Sequence, residues 1–521
     1  MSGDAVTVGS GLTPGTEGQG AFVAASRVIL ANYFSSLSRT TQSIAILWVL
    51  VFLVSAVFVR FTRLSNVPGP FWAAYTRLWL SKQYYSGCLY QKYHETSRRW
   101  GPLVRIAPNR LLLADPEATM EMLSSRSRYE RGPWYDSFKI DPERPNIVSQ
   151  RDRPTHLRMR YQMAPGYSGK DIAGFEGIMD TRIVDLVDRI STNWISRPER
   201  TLPLDIGRWI RHMTMDTITH ISFGKPFGYA ENDRDIMEFT SVMEALLPIV
   251  LHFSVFTELN NILRLLAKVG CLRRVLFPHH THKKGLGRLR AVTKNIMASR
   301  SPPLPDTKSD MLDSFLKNGL SPQEAESEMA IGLVAGSDTT STGLRATVLA
   351  IISNPLVYRK LQVEIDTCIA DGQVSSPIKD SEARKMPYLQ ACIYEGLRCH
   401  PPLVLPRERV VPPEGDIICG YKIPAGTFVG VNVWTSQRHD IFGEDPEVFR
   451  PERWLEASDE QLRAMKKTWE LIFGHGTTKC LGQQVALMTM NKFFPEVSWN
   501  HLPNILSNIL WISVILAKLN R

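Results

Sequence analysis

Phe473-Gly474-His475-Gly476-Thr477-Thr478-Lys479-Cys480-Leu481-Gly482 is the stretch on which the fold of this 521-residue chain turns. One cysteine sits in a glycine-rich loop, and a helical run over 483–491 follows at once. Such a loop can aim several backbone N–H groups at one anion, and a helix N-terminus adds a favourable dipole. Both favour a thiolate over a thiol. Glycines at 474, 476 and 482 allow the backbone to approach a flat ligand closely. A buried structural cysteine would fit the loop equally well if the loop stood alone.

Three other stretches lie upstream. Ala335-Gly336-Ser337-Asp338-Thr339-Thr340 falls inside a long helical pattern over 322–353, where an acid is unexpected in an apolar run. A threonine there can bond back to the carbonyl four residues earlier and bend the helix. An acid and an alcohol side by side at a bend make a proton relay; a helix cap or break is the plainer reading. Glu395-Gly396-Leu397-Arg398 puts Glu and Arg on one helix face. Phe449-Arg450-Pro451-Glu452-Arg453-Trp454 offers Arg453 as a second guanidinium for Glu395, which would turn an ordinary surface pair into a buried bidentate network. His156-Leu157-Arg158-Met159-Arg160 places His156 and Arg160 on one face, where Arg160 could hold a ligand carboxylate or belong to a solvated basic face.

In order and spacing these stretches resemble the cytochrome P-450 superfamily of haem-thiolate monooxygenases, over roughly residues 66–496. Together with Met163-Ala164-Pro165-Gly166-Tyr167-Ser168, they look most like members from filamentous-fungal secondary metabolism. The resemblance implies a mainly α fold with small β-sheets, forming one large catalytic domain. It implies haem b (iron protoporphyrin IX), with Cys480 as the axial iron ligand. A thiolate in that place pushes electron density onto the iron and favours O–O cleavage. Phe473 and Gly476 of the loop match cofactor-binding positions. Asp338 and Thr339 match the acid–alcohol pair that delivers protons, and Gly336 the place where the helix opens beside the haem. Glu395, Arg398 and Arg453 match a structural triad. Arg160 matches a haem-propionate contact, and Arg409 a second, with Arg407 possible in another register. Leu403, Val404 and Leu405 match pocket-lining positions, so a lipophilic small-molecule substrate is expected. The reaction implied draws electrons from NADPH through a cytochrome P-450 reductase and hydroxylates, epoxidises or couples a terpenoid, polyketide or alkaloid skeleton. Lys479 and Lys492 are candidates to meet an acidic reductase face.

The chain departs from the family pattern in two places. Thr478 stands where the family has an arginine, two residues before the cysteine, and His156 stands where tryptophan is common. The segment 497–521 also looks unlike the family's closing sheet. A haem-binding but catalytically impaired remnant is therefore the alternative expectation.

Composition narrows the setting. Net charge is +10 and the pI is near 9.2, but Lys and Arg are scattered, so no nucleic acid is expected as partner. The seven cysteines stand singly with no C-x-x-C pair, which argues against a disulfide framework or a thiolate zinc site. Residues 1–42 read as a flexible leader, rich in Gly, Ser and Thr toward the start. Ser43 to Val59 carries no charge and reads as a transmembrane anchor in membrane lipid. Arg60, Arg63, Arg77 and Lys82 follow it, which places the catalytic body on the cytosolic side. A single-pass protein of the endoplasmic reticulum membrane is the expectation. Residues 60–70, with Pro68-Gly69-Pro70, read as a basic and proline-stiffened hinge before a catalytic domain over 71–496.

Overall fold

The computed structural model describes residues 46–48, 63–194, 202–299 and 310–500, with side chains as far as Val497. The chain divides into two units, one ending at Arg63 and the next beginning at Leu64. The leader, most of the expected anchor and residues 501–521 lie outside the described residues; within the anchor, Ile46–Trp48 are helical and exposed.

The second unit is built from helices with a small sheet at one side. In chain order its main elements are α1 (Leu78–Tyr85), α2 (Leu89–Trp100), β1 (Leu103–Ala107), β2 (Arg110–Leu113), α3 (Pro116–Leu123), β3 (Glu130–Arg131), α4 (Arg153–Tyr167), α5 (Phe175–Asn193), α6 (Ile206–Phe223), α7 (Phe239–Val255) and α8 (Gly285–Ala298). There follow α9 (Pro322–Ile352), α10 (Pro355–Ala370), α11 (Pro387–Cys399), β4 (Arg409–Val410), β5 (Asp416–Ile418), β6 (Tyr421–Ile423), β7 (Phe428–Val431) and α12 (Gln483–Asn500).

Helix α9 is the central beam. Ser321 caps it: its hydroxyl accepts from the Glu324 N–H at 3.3 Å, and the Glu324 carboxylate accepts from the Ser321 N–H at 3.0 Å. This reciprocal cap satisfies two otherwise unpaired donors, and Pro322 supplies a residue that needs no N–H in the first turn. The helix runs unbroken through Gly336 to Thr342, so the hydroxyl-rich stretch neither caps nor ends it. Helix α11 crosses it closely. A Cβ on Gly396 would lie 2.1 Å from the Thr347 hydroxyl, so only glycine fits in the middle of the Glu395–Arg398 segment.

The sheet runs β1-β2-β7-β4-β3, with β2 parallel to β7 (Leu111 opposite Val429) and the other pairs antiparallel. Residues 416–423 form the hairpin β5–β6. Cys419 (φ 48°) and Gly420 (φ 81°) both adopt the left-handed conformation that a two-residue hairpin turn requires.

Two apolar clusters flank α9. The larger joins Leu111, Leu113, Leu344, Leu389, Ile393, Val431, Trp454 and Phe493, tying the sheet to α9, α11 and α12. The second joins Met159, Met163, Met179, Ile218, Phe315, Met329 and Leu333 between α4, α5, α6 and α9. Leu64 and Val67 are buried in the larger cluster. The Arg105 N–H donates to the Pro68 carbonyl at 2.8 Å. The body therefore begins seven residues before 71, because two apolar residues of the expected hinge pack against the sheet. At the other end, α12 continues past Glu496, with Val497 buried, to Asn500.

Candidate functional site

The cysteine loop is closed by its own backbone. The Cys480 N–H donates to the Phe473 carbonyl at 2.7 Å, across two short turns of 3-10 helix at Glu470–Phe473 and Gly476–Thr478. The Phe473 ring leans on Trp469, centroids 5.5 Å apart, which anchors the loop to the larger cluster. Gly476 sits at φ 58°, and a Cβ there would come within 2.3 Å of the Leu123 carbonyl at the end of α3. Gly476 is thus demanded by contact with protein backbone, a reason the sequence does not announce.

The sulfur of Cys480 receives the N–H groups of Gly482 and Gln483, with Arg160 and Arg407 close enough to act on its charge. Burial is the strongest influence and pushes the thiol up; the N–H groups and guanidiniums draw it back without overcoming burial. This reverses the direction expected from loop and helix dipole alone, because desolvation of a buried thiolate costs more than the dipoles return. Metal coordination deprotonates such a thiol outright. Cys480 is enclosed by protein yet keeps accessible surface, so that surface faces an interior space. Ala335 in mid-α9 and Leu403 also keep accessible surface. Among the described residues no group of three or more His, Cys, Asp or Glu side chains could hold a bare metal ion. One sulfur facing an interior space is the donor set for a metal that brings its other ligands with it.

Four arginines gather beside the loop. Arg160 donates to the Lys479 carbonyl at 2.7 Å. Arg409 donates to the Thr478 hydroxyl at 2.9 Å and to the Tyr135 hydroxyl. Arg407 donates to the Leu471 carbonyl at 3.1 Å. Arg131 donates to the carbonyls of Ile147, Val148 and Gln150, and to His156 Nε2 at 2.9 Å. Burial, and then Arg131, Arg160 and Arg409, push the His156 imidazole down to about 3, so it is neutral and accepts from Arg131. Among the described residues none of the four arginines meets a carboxylate, and the Nε atoms of Arg131 and Arg407 have no partner. Concentrated buried cation with no counter-charge is costly unless an anion joins it. The two carboxylates of haem b fit that demand. Arg131 was not visible as a site residue in the sequence, since nothing around Tyr129-Glu130-Arg131-Gly132 sets it apart.

On α9 the Thr339 hydroxyl donates to the Ala335 carbonyl at 2.7 Å, leaving its oxygen free to accept. Asp338 is exposed and lies within electrostatic reach of Arg345, in a charged group with Asp205, Arg211 and Glu244. Arg211 and Glu244 pair at 2.9 Å between α6 and α7. The acid and the alcohol are therefore neighbours on a continuous helix, with the acid turned to solvent-accessible charge.

Glu395 is wholly buried and accepts five hydrogen bonds from nitrogen donors, besides a long contact from the Cys399 thiol at 4.0 Å. Arg398 donates through Nε and Nη2 at 2.8 Å each, Arg453 through Nε at 2.8 Å, Trp454 through Nε1 at 2.8 Å and the Arg450 N–H at 2.9 Å. Burial opposes ionisation, but the Arg398 and Arg453 guanidiniums outweigh it and hold the carboxyl below its usual range. Lys492 is no docking residue: it is buried and bonded to Glu176 and Asp180, both at 2.7 Å. Lys479 pairs with Glu470 at 3.0 Å.

Comparison with known proteins agrees with this geometry. The profile of the cytochrome P-450 family matches residues 66–497. The chain is 35% identical over 457 residues to the cytochrome P-450 monooxygenase ABA1 of Pyricularia oryzae, covering 86% of this chain and 88% of that one. It is 36% identical over 439 residues to aba1 of Botryotinia fuckeliana (83% and 85%). It is 30% identical over 453 residues to gsfF of Penicillium aethiopicum (83% and 86%).

Proposed function

The chain belongs to the cytochrome P-450 monooxygenases, and we propose that it binds haem b through Cys480 and oxidises a lipophilic secondary metabolite. The observation that carries the reading is the meeting of an enclosed, surface-bearing Cys480 with four guanidiniums that no protein carboxylate neutralises. Bound there, the haem supplies the activation of dioxygen, with electrons reaching it from NADPH through a reductase. The residues of the chain do the rest. The Gly482 and Gln483 N–H groups steady the sulfur. Asp338 takes protons from the exposed charged group and hands them to Thr339, whose hydroxyl is held in place by the Ala335 carbonyl. Of the apolar residues expected at the pocket, Leu403 keeps accessible surface and Val404 is half-buried, which suits a lipophilic guest, whereas Leu405 packs against the cluster of Leu80, Tyr93 and Leu112. A single anchor at 43–59 in the endoplasmic reticulum membrane, with the body cytosolic, remains part of the proposal. Its support is the uncharged run and the basic residues after it.

The test is the reduced, carbon-monoxide-bound difference spectrum of membranes containing the chain and a reductase. The red-shifted Soret band of thiolate-ligated haem is expected, and Cys480→Ser abolishes it. Absence of haem in the wild-type chain, or an unshifted band, refutes the reading.

A further inference from the structure

Residues 258–284 join α7 to α8 and contain two short helices, Glu258–Leu266 and Gly270–Leu276. Apolar packing does not hold them to the body. Ile262, Leu265, Val269 and Val275 are exposed, and within 258–284 only Asn260 and Ala267 are buried. The stretch is strongly basic: Arg264, Lys268, Arg273, Arg274, Lys283 and Lys284 stand against a single acid, Glu258.

What fastens the stretch is polar. At its start Arg77 grips Glu258 through both Nη atoms, at 2.5 and 2.8 Å. Asn260 donates to the Ser137 hydroxyl at 3.0 Å, and Arg264 lies 3.7 Å from Asp136. Arg273 reaches Asp141 and Glu143, each at 3.2 Å. Arg290 on α8 secures the far end, donating to the Pro278 carbonyl at 2.9 Å and to Asp141 at 3.3 Å. Asp136 and Asp141 are both buried. Asp136 keeps Lys139 and Arg151 as further partners, whereas the arginines that meet Asp141 are Arg273 and Arg290.

The stretch that receives these ties also reaches inward. Next to Asp136 stands Tyr135, buried, whose hydroxyl accepts from Arg409. One short turn, Pro133–Phe138, therefore joins the basic stretch outside to the arginines inside. Segments that bury few apolar contacts open at low cost, and pairs of opposite charge weaken as salt screens them. We propose that residues 258–284 form a strap closed by an ionic clasp on Asp136 and Asp141, and that ionic strength sets how often the strap lifts and loosens residues 133–143 beneath it. Asp141 is the keeper of the clasp, because its charge is met from the strap and from α8. The clasp is independent of whether Cys480 carries haem.

The experiment is hydrogen–deuterium exchange of the purified full-length chain, read by mass spectrometry, with peptides of α11 as internal reference. Raising sodium chloride from about 0.1 M to about 1 M shortens the screening length from about 10 Å to about 3 Å. Exchange within 258–284 and within 133–143 should then quicken by at least about threefold relative to α11. The double variant Arg264→Gln with Arg273→Gln should exchange about tenfold faster in both stretches at low salt, the scale of losing charged hydrogen bonds, and should no longer respond to salt. Asp141→Asn gives a similar rise, and adding Arg273→Gln to it changes exchange by less than about twofold, because both act through one tie. Lys268→Gln removes a strap charge that meets no acid among the described residues and leaves exchange as in wild type. A wild-type chain indifferent to salt overturns the clasp, and so does an arginine double variant that exchanges like wild type. An equal rise in Lys268→Gln overturns it too, since net charge rather than the named pairs would then be at work. A rise confined to 258–284 breaks the link to the segment beneath and overturns the proposal as stated. If Asp141→Asn gives no folded protein, the arginine double variant, altered only at partly exposed strap residues, decides alone.

Discussion

Replacing Glu395 by glutamine removes a single negative charge and keeps the side-chain shape, so it isolates what that charge does. Glu395 is fully buried and accepts from Arg398, Arg453, Trp454 and the Arg450 N–H. Glutamine retains one acceptor oxygen but turns an NH2 group toward donors that need an acceptor. Removing one partner of a buried ion pair costs about 3–5 kcal/mol, chiefly through the charge left unpaired. Two facts place Glu395→Gln at the lower end. Arg398 keeps the Gln437 and Pro446 carbonyls, and Arg453 keeps those of Phe442, Glu444, Asp445 and Val448. Both guanidiniums therefore stay hydrogen-bonded after the charge is lost. About 3 kcal/mol is expected for Glu395→Gln, and about 5 kcal/mol for Glu395→Ala, which also opens a cavity.

Thermal inactivation followed by helical circular dichroism and by haem absorbance is the assay. A drop on the order of 3 °C is expected for Glu395→Gln, because about 3 kcal/mol is divided by the large unfolding entropy of a body this size. The pH dependence has a fixed sign. The carboxyl is held below its ordinary value of 4.5, so its contribution is present above 4.5 and is lost as pH falls below it. The variant and wild type should therefore converge in acid. A Glu395→Gln protein within about 1 kcal/mol of wild type at neutral pH would refute the reasoning, because the desolvated guanidiniums would then not need the charge.

Two further outcomes follow from other buried or reactive groups. Burial pushes the Glu328 carboxyl on α9 from 4.5 up to about 8, against the hydrogen bond it accepts from Ile147. Stability from its protonated form is present below 4.5 and lost as pH rises through about 8, so Glu328→Gln should match wild type near pH 5 and outlast it at pH 9. The gap between 4.5 and about 8 sets a ceiling of about 5 kcal/mol at roughly 1.4 kcal/mol per pH unit, and equal inactivation rates at pH 9 would count against it. Asp338→Asn should lower turnover by about a hundredfold, the scale of a lost proton-transfer group, and change the solvent isotope effect, while haem content and the thiolate band stay as in wild type. Unaltered turnover would remove Asp338 from the relay.

How far the sequence could be read depended on whether a residue's role was local or collective. The Glu395 network was foreseeable because Arg398 lies one helical turn away and Arg453 carries its own flanking pattern. What could not be read was that Gly396 is there for the Thr347 side chain, since that contact joins helices α9 and α11. The hinge over 60–70 misled for a similar reason. The prolines of Pro68-Gly69-Pro70 drew the reading toward a spacer, but Leu64 and Val67 find a place in the core that only the sheet creates. Lys492 looked like a surface cation, and its burial against Glu176 and Asp180 depends on how α5 meets α12.

The cysteine loop shows the same division in its electrostatics. Loop glycines and a helix start argue for a lowered thiol, and the N–H groups of Gly482 and Gln483 do reach the sulfur. Enclosure by the fold wins nonetheless, because desolvation grows with every layer of protein around the charge while two N–H dipoles do not. A loop that stabilises its thiolate incompletely is suited to a sulfur whose charge is to be shared with a metal. Its strongest stabilisation then arrives with the ligand itself. The arginines follow the same logic in the opposite sign: Arg131, Arg160, Arg407 and Arg409 lie close enough to repel one another, a burden that the carboxylates of the proposed haem would relieve. A protein arranged in this way should gain stability on taking up its cofactor at both poles, sulfur and guanidinium, and the gain should fall with each arginine removed.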